Sequence, residues 1–123
     1  MVAHREAVAA AQVAAAALED KKGKDLVLLD VSDLLVVTDL FLIASGTSNR
    51  HVRTLVDAVE ERLGELGRRP LRREGTEFGK WVLLDYGDLI VHVFDPETRD
   101  YYDLERLWGD APRLEPESAA AEA

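Results

Sequence analysis

Two or three carboxylates converging on Mg²⁺ would signal phosphoryl or nucleotidyl transfer, because hard oxygen ligands hold that ion against a substrate phosphate. The chain offers Asp30 and Asp33 around the end of one strand-like run, Asp39 ahead of a second, and Asp85 and Asp88 bracketing a turn. None of them makes an Asp-x-Asp pair, the spacing that puts two carboxylates on one strand face. Asp88 and Asp39 instead suit turns, where aspartate bonds its own backbone. His4, His51 and His92 are scattered without an HxxxH or HExxH partner, so zinc and triad chemistry are poorly served. No GxSxG elbow is present. The absence of cysteine removes thiolate zinc sites, CxxC redox centres, cysteine nucleophiles and disulfides together. The turn Gly46-Thr47-Ser48-Asn49-Arg50 could cradle a phosphate at a helix N-terminus. It matches neither GxxxxGK[ST] nor GxGxxG, and a capped helix start explains it more simply. No catalytic site, metal or cofactor is expected from these residues.

The elements that would position such groups follow from periodicity. Arg5 to Lys22 is alanine-rich and stops at Gly23, which predicts a helix with a narrow apolar face and a glycine C-cap. Leu26 to Val31 and Leu40 to Ser45 are short apolar runs, read as strands buried on both faces and covered by helices on both sides. Val52, Leu55, Val56, Val59, Leu63 and Leu66 form one helical stripe, with Thr47 or Ser48 to cap its start and Gly67 its end. Arg68 to Arg73 is a basic connection that could touch RNA phosphate and is more simply solvated. Trp81 to Tyr86 and Leu89 to Phe94 flank Gly87-Asp88, a two-residue hairpin signal. On that hairpin His92 shares a strand face with Ile90 and Phe94, as a partly buried, hydrogen-bonded histidine would. Glu97 to Trp108 reads as one or two helical turns after Asp95-Pro96. The result is a single α/β domain over residues 1–110 with a mixed sheet flanked by helices. Residues 111–123 read as a flexible tail too poor in apolar bulk to pack.

Charge says more about partners than any motif does. The 123 residues carry a net charge of −9, which repels phosphate and disfavours a nucleic-acid footprint. DNA binding is not expected, and RNA contact is secondary at most. Trp81 to Asp110 holds eight acids against Arg99 and Arg106, so two-thirds of the net charge lies in a quarter of the chain. Both tryptophans and all three tyrosines fall in the same stretch. Aromatics among acids suit an interface steered toward a basic partner, although core aromatics beneath a solvated acidic face would give the same composition. Strand alternation puts Val82 and Leu84 inward and leaves Trp81 and Leu83 exposed beside Asp85. No run approaches the roughly 18 apolar residues of a membrane span, and the N-terminus does not read as a signal peptide, so a soluble cytoplasmic protein is expected.

A family likeness covers about residues 5–112. Gly23-Lys24-Asp25, Leu29-Asp30-Val31, Thr38-Asp39 and Ser45 to Val52 resemble the first half of the ribosomal silencing factor family, also called Iojap-like. Glu74-Gly75, Trp81 to Asp88, Val91-His92-Val93-Phe94, Arg99 and Tyr102 to Trp108 resemble its second half. Leu40-Phe41 departs from the family, which often has an aromatic first there, and the acidic tail lies outside the match. The resemblance implies a nucleotidyltransferase-like α/β fold without that activity, consistent with the missing Asp-x-Asp pair. It also implies a homodimer that binds the large ribosomal subunit through its basic protein number fourteen and blocks joining of the small subunit when nutrients are scarce. The contact is expected on the hairpin and the segment after it. Trp81 and Leu83 would be the apolar anchors, with Tyr102 beside them and Asp85, Asp100 and Asp103 facing lysine or arginine. Two alternatives stand beside this reading: a residual Mg²⁺-dependent nucleotidyltransferase using Asp30, Asp39 and the Gly46 turn, and an RNA-binding module using Arg50 and Arg68 to Arg73.

Overall fold

The structure, a computed structural model, describes residues 5–115. Its elements are α1 (Arg5–Asp20), β1 (Lys24–Asp30), β2 (Leu40–Ser45), α2 (Asn49–Glu65), β3 (Arg72–Glu74), β4 (Trp81–Asp85), β5 (Leu89–Phe94), α3 (Pro96–Tyr102), α4 (Leu104–Leu107) and β6 (Arg113–Leu114). The strands form one sheet in the order β3-β4-β5-β2-β1-β6. Among the described strands only β2 and β5 run parallel, joined through α2 and the β3–β4 segment, so the sheet is mixed as expected.

One face of the sheet carries α1 and α2. Val52, Leu55, Val56, Val59 and Leu63 from α2 meet Leu40, Leu42, Val82, Leu84, Val91 and Val93 from the strands in a continuous buried cluster. Each fully buried leucine or valine there contributes about 2 kcal/mol from its transfer out of water. Six alanines and Leu18 of α1 are buried, so its apolar face is broader than its small side chains suggest. α2 begins as read from the sequence, with the Ser48 side chain accepting from the His51 N–H at 3.1 Å. α1 ends earlier than expected, at Asp20, and its left-handed residue is Lys22 (φ 64°) rather than Gly23. Gly23 serves differently: its N–H reaches Leu18 O at 2.7 Å, and a Cβ there would sit 3.0 Å from that oxygen.

The hairpin forms as the Gly-Asp pair predicts. Tyr86 N–H bonds Leu89 O at 2.8 Å across a two-residue turn, with Gly87 at φ 91°, a conformation that favours glycine. Three expectations are corrected. β1 is fully buried only at Leu28 and Leu29, because its outer neighbour β6 spans only two residues. Arg72–Glu74 is an edge strand rather than a solvated connection, its charges guarding the open edge. The tail does not begin at residue 111: Ala111 is buried, Asp30 N–H bonds Pro112 O at 2.8 Å, and Arg113–Leu114 pairs with β1. The rest of the expected tail, residues 116–123, lies outside the described residues.

Candidate partner-binding face

The second face of the sheet is built from aromatics. Leu29, Val31, Phe41, Ile43, Phe94, Leu104 and Ala111 form its buried cluster, with Trp81, Ile90 and Trp108 packed on it while partly open to solvent. β4 puts Val82 and Leu84 inward, as alternation requires, and turns Trp81, Leu83 and Asp85 toward this second face. The expectation of a freely exposed Trp81 and Leu83 is corrected: both are half-buried. Trp81 stacks on Phe94, its partner across the hairpin, with centroids 5.0 Å apart, and the Tyr102 ring covers it at 4.7 Å. Its indole N–H donates to His92 Nδ1 at 3.1 Å.

α3 brings the other expected residues to the same end of β4. Asp95 caps it, accepting from Thr98 N–H at 2.8 Å, and Pro96 occupies its first turn, where a missing N–H costs nothing. Arg99 lies almost fully buried, donating to Ser45 Oγ at 2.8 Å and pairing with Glu105 at 3.3 Å, which ties α3 to the end of β2. Asp103 then turns the chain into α4 in the left-handed conformation (φ 45°). Tyr102, Asp100 and Asp103 therefore line one shallow groove of about 510 Å³ on the α3–α4 side, with Arg106 also on its wall and Trp81 beside it in ring contact with Tyr102. Asp85 is not part of that group. It sits at the far end of β4, roughly 13 Å along the strand, and is engaged internally, accepting from Gly87 N–H at 2.8 Å and pairing with Arg72 at 3.5 Å.

Two exposed residues of the groove were not singled out from the sequence. Tyr101 is 82% exposed and Leu107 70%, and both line the depression with Asp100 and Asp103. A lone tyrosine and a lone leucine on short helices leave no periodic signal. His92 is the other surprise in degree: it is 4% exposed rather than partly buried, and burial lowers its pKa to about 4. The ring is thus neutral, its Nδ1 lone pair taken by Trp81 and its proton on Nε2, which has no hydrogen-bond partner among the described residues.

The alternative sites dissolve into structural contacts. At the Gly46 turn, Gly46 N–H bonds Phe94 O at 2.8 Å, and Thr47 N–H bonds His51 Nδ1 at 2.8 Å. The other ring nitrogen of His51 reaches Lys21 O at 2.7 Å, so this histidine locks α2 to the end of α1. Gly46 is needed because a Cβ would lie 2.8 Å from Val52 N. Among the described residues no three His, Asp or Glu side chains group as a metal site would require. Three of the four arginines in the basic run face the protein's own acids: Arg68 with Asp88 at 2.5 Å, Arg73 with Glu60 at 2.9 Å, Arg72 with Asp85 and Glu74, while Arg69 is exposed. No helix among the described residues is long and apolar enough to cross a membrane.

Known proteins match this architecture and this sequence together. The family described as "Ribosomal silencing factor during starvation" matches residues 4–123. The chain belongs to the ribosomal silencing factor family. The match runs through the segment expected to be a tail, in keeping with the placement of β6 in the sheet. Ribosomal silencing factor RsfS of Chromobacterium violaceum is 48% identical over 98 residues, 80% of each chain. Its counterpart in Bacillus subtilis is 42% identical over 101 residues, 82% of this chain and 86% of that protein. A crystal structure of a Chromobacterium violaceum protein superposes with a TM-score of 0.81 at 46% identity, covering 84% of this chain and 86% of that one. The relatives are named silencing factors, regulatory proteins rather than enzymes, and the chain stands with them.

Proposed function

We propose that this chain docks on the large ribosomal subunit through that subunit's basic protein number fourteen, blocks joining of the small subunit and so represses translation when nutrients are scarce. The observation that carries the reading is the groove beside Trp81, where exposed tyrosines and carboxylates stand together on a chain of net charge −9. Aromatic side chains held by a firm base make good interface anchors, because little conformational freedom is lost on binding. Trp81, Leu83 and Tyr102 supply apolar contact, extended by Tyr101 and Leu107. Asp100 and Asp103 meet lysine or arginine, and Asp85 marks the outer limit of the contact. The protein works in the cytoplasm as a homodimer. Membership of the silencing family and the names of its relatives support this reading.

Co-sedimentation with purified large subunits tests it. Trp81→Ala should remain folded and bind at least tenfold more weakly, about 1.4 kcal/mol or more, and parent binding should weaken between low and high salt as screening removes the charge attraction. A Trp81→Ala protein that binds as well as the parent contradicts the assigned face.

A further inference from the structure

We propose that His92 is a positioning residue for partner binding, holding the Trp81 indole in the single orientation that the docking face requires. The inference rests on the docking function proposed above for that face.

The geometry comes from strand register. Trp81 lies opposite Phe94, and Leu83 opposite His92, so His92 is the diagonal neighbour of Trp81 on the same face of the hairpin. Phe94 gives the indole a flat surface at 5.0 Å and Tyr102 covers it at 4.7 Å. Ring contacts of this kind restrain the plane of the indole but make no bond to its N–H. The hydrogen bond from Trp81 Nε1 to His92 Nδ1 at 3.1 Å fixes the orientation within that plane, because flipping would carry the only donor of the indole away from its acceptor.

The rest of the histidine's surroundings supply no other role for it. Phe41 packs against it edge to face at 4.9 Å, and Phe94 stacks at 6.3 Å. An aliphatic or phenyl side chain would suit that company without burying a polar ring. The fold nevertheless keeps a polar imidazole there, one ring nitrogen of which accepts from Trp81. The Trp81 bond is the only hydrogen bond the ring makes among the described residues.

Four variants and two readouts test this, the readouts being large-subunit binding and the NMR signal of the Trp81 indole N–H. His92→Phe removes the acceptor and keeps a ring. It should hold the melting temperature near the parent's, shift and broaden the indole resonance, speed its hydrogen exchange, and weaken binding five- to twentyfold. Trp81→Phe removes the donor and keeps the stack on Phe94, and should weaken binding at least fivefold. Adding His92→Phe to Trp81→Phe should then cost less than a further twofold, because the bond is already gone. His92→Asn, whose side-chain oxygen lies close to where Nδ1 does, should recover much of the indole signal and of the binding.

If Trp81→Ala loses binding while folded His92→Phe binds as the parent, the role assigned to His92 is wrong and the docking face stands. If His92→Phe does not fold, Trp81→Phe decides alone, and parent-like binding by that variant overturns the proposal. Parent-like binding by Trp81→Ala overturns the docking reading itself.

Discussion

The two faces of the sheet are built on opposite rules. Beneath α1 and α2, aliphatic side chains and alanine methyls fill the space, most of them wholly removed from water. Beneath α3 and α4, buried Phe41, Phe94 and His92 make edge and stacking contacts with two tryptophans, Trp81 and Trp108, that stay partly open, with a buried arginine nearby. Close packing of saturated side chains stabilises a fold and offers nothing to a partner. Rigid aromatics on a firm base leave surface ready for contact at little conformational cost. Under the proposed docking function, the first face chiefly serves stability and the second recognition.

Leu63→Ala on α2 should separate the two most sharply. It truncates a fully buried leucine of the helical face and should destabilise the protein by about 3 kcal/mol, read from urea unfolding. The fraction that remains folded should bind large subunits as the parent does, and a binding defect beyond the loss of folded protein would blur the division. Acid acts on the second face. His92 is neutral in the folded protein, with a pKa of about 4, while the unfolded chain takes up its proton near 6.5. Between those values the unfolded state binds the extra proton, so stability falls as pH drops through this window, by as much as roughly 3 kcal/mol from this group. His92→Phe should flatten that part of the pH–stability curve, and an unchanged slope would show that other groups carry it. The smallest effect belongs to Tyr101→Ala. Because Tyr101 is 82% exposed, its removal should leave the melting temperature within about 2 °C of the parent's, since surface changes fall mostly within ±0.5 kcal/mol. Large-subunit binding should weaken about threefold, and a fall in melting temperature with no binding loss would move Tyr101 out of the docking face.

The sequence carried the interior of the fold better than its margins. The α2 stripe from Val52 to Leu63, its Ser48 cap, the inward Val82 and Leu84 and the Gly87-Asp88 turn are local patterns, set by periodicities that burial enforces, and appear in the structure, whereas Leu66, expected on the stripe, is the exposed C-cap. β3 escaped notice because an edge strand of Arg-Arg-Glu is exposed on both faces and shows no alternation. β6 escaped because two residues beside β1 are too few for a pattern. At the candidate site, alternation correctly gave the face on which Trp81 lies but not its depth. That depth is set by Tyr102, about twenty residues on, and by the diagonal neighbour His92. The separation of Asp85 from Asp100 and Asp103 was hidden for the same reason, since clustering in sequence does not order residues along a strand.

Light scattering of purified small and large subunits, mixed at raised Mg²⁺ after the large subunit has been incubated with a few-fold excess of this protein, tests the central claim most directly. The account predicts suppressed joining by the parent, nearly normal joining with Trp81→Ala, and little effect when the protein is added to subunits already joined. Joining that proceeds undiminished with the parent protein, at concentrations where it co-sediments with large subunits, would contradict it.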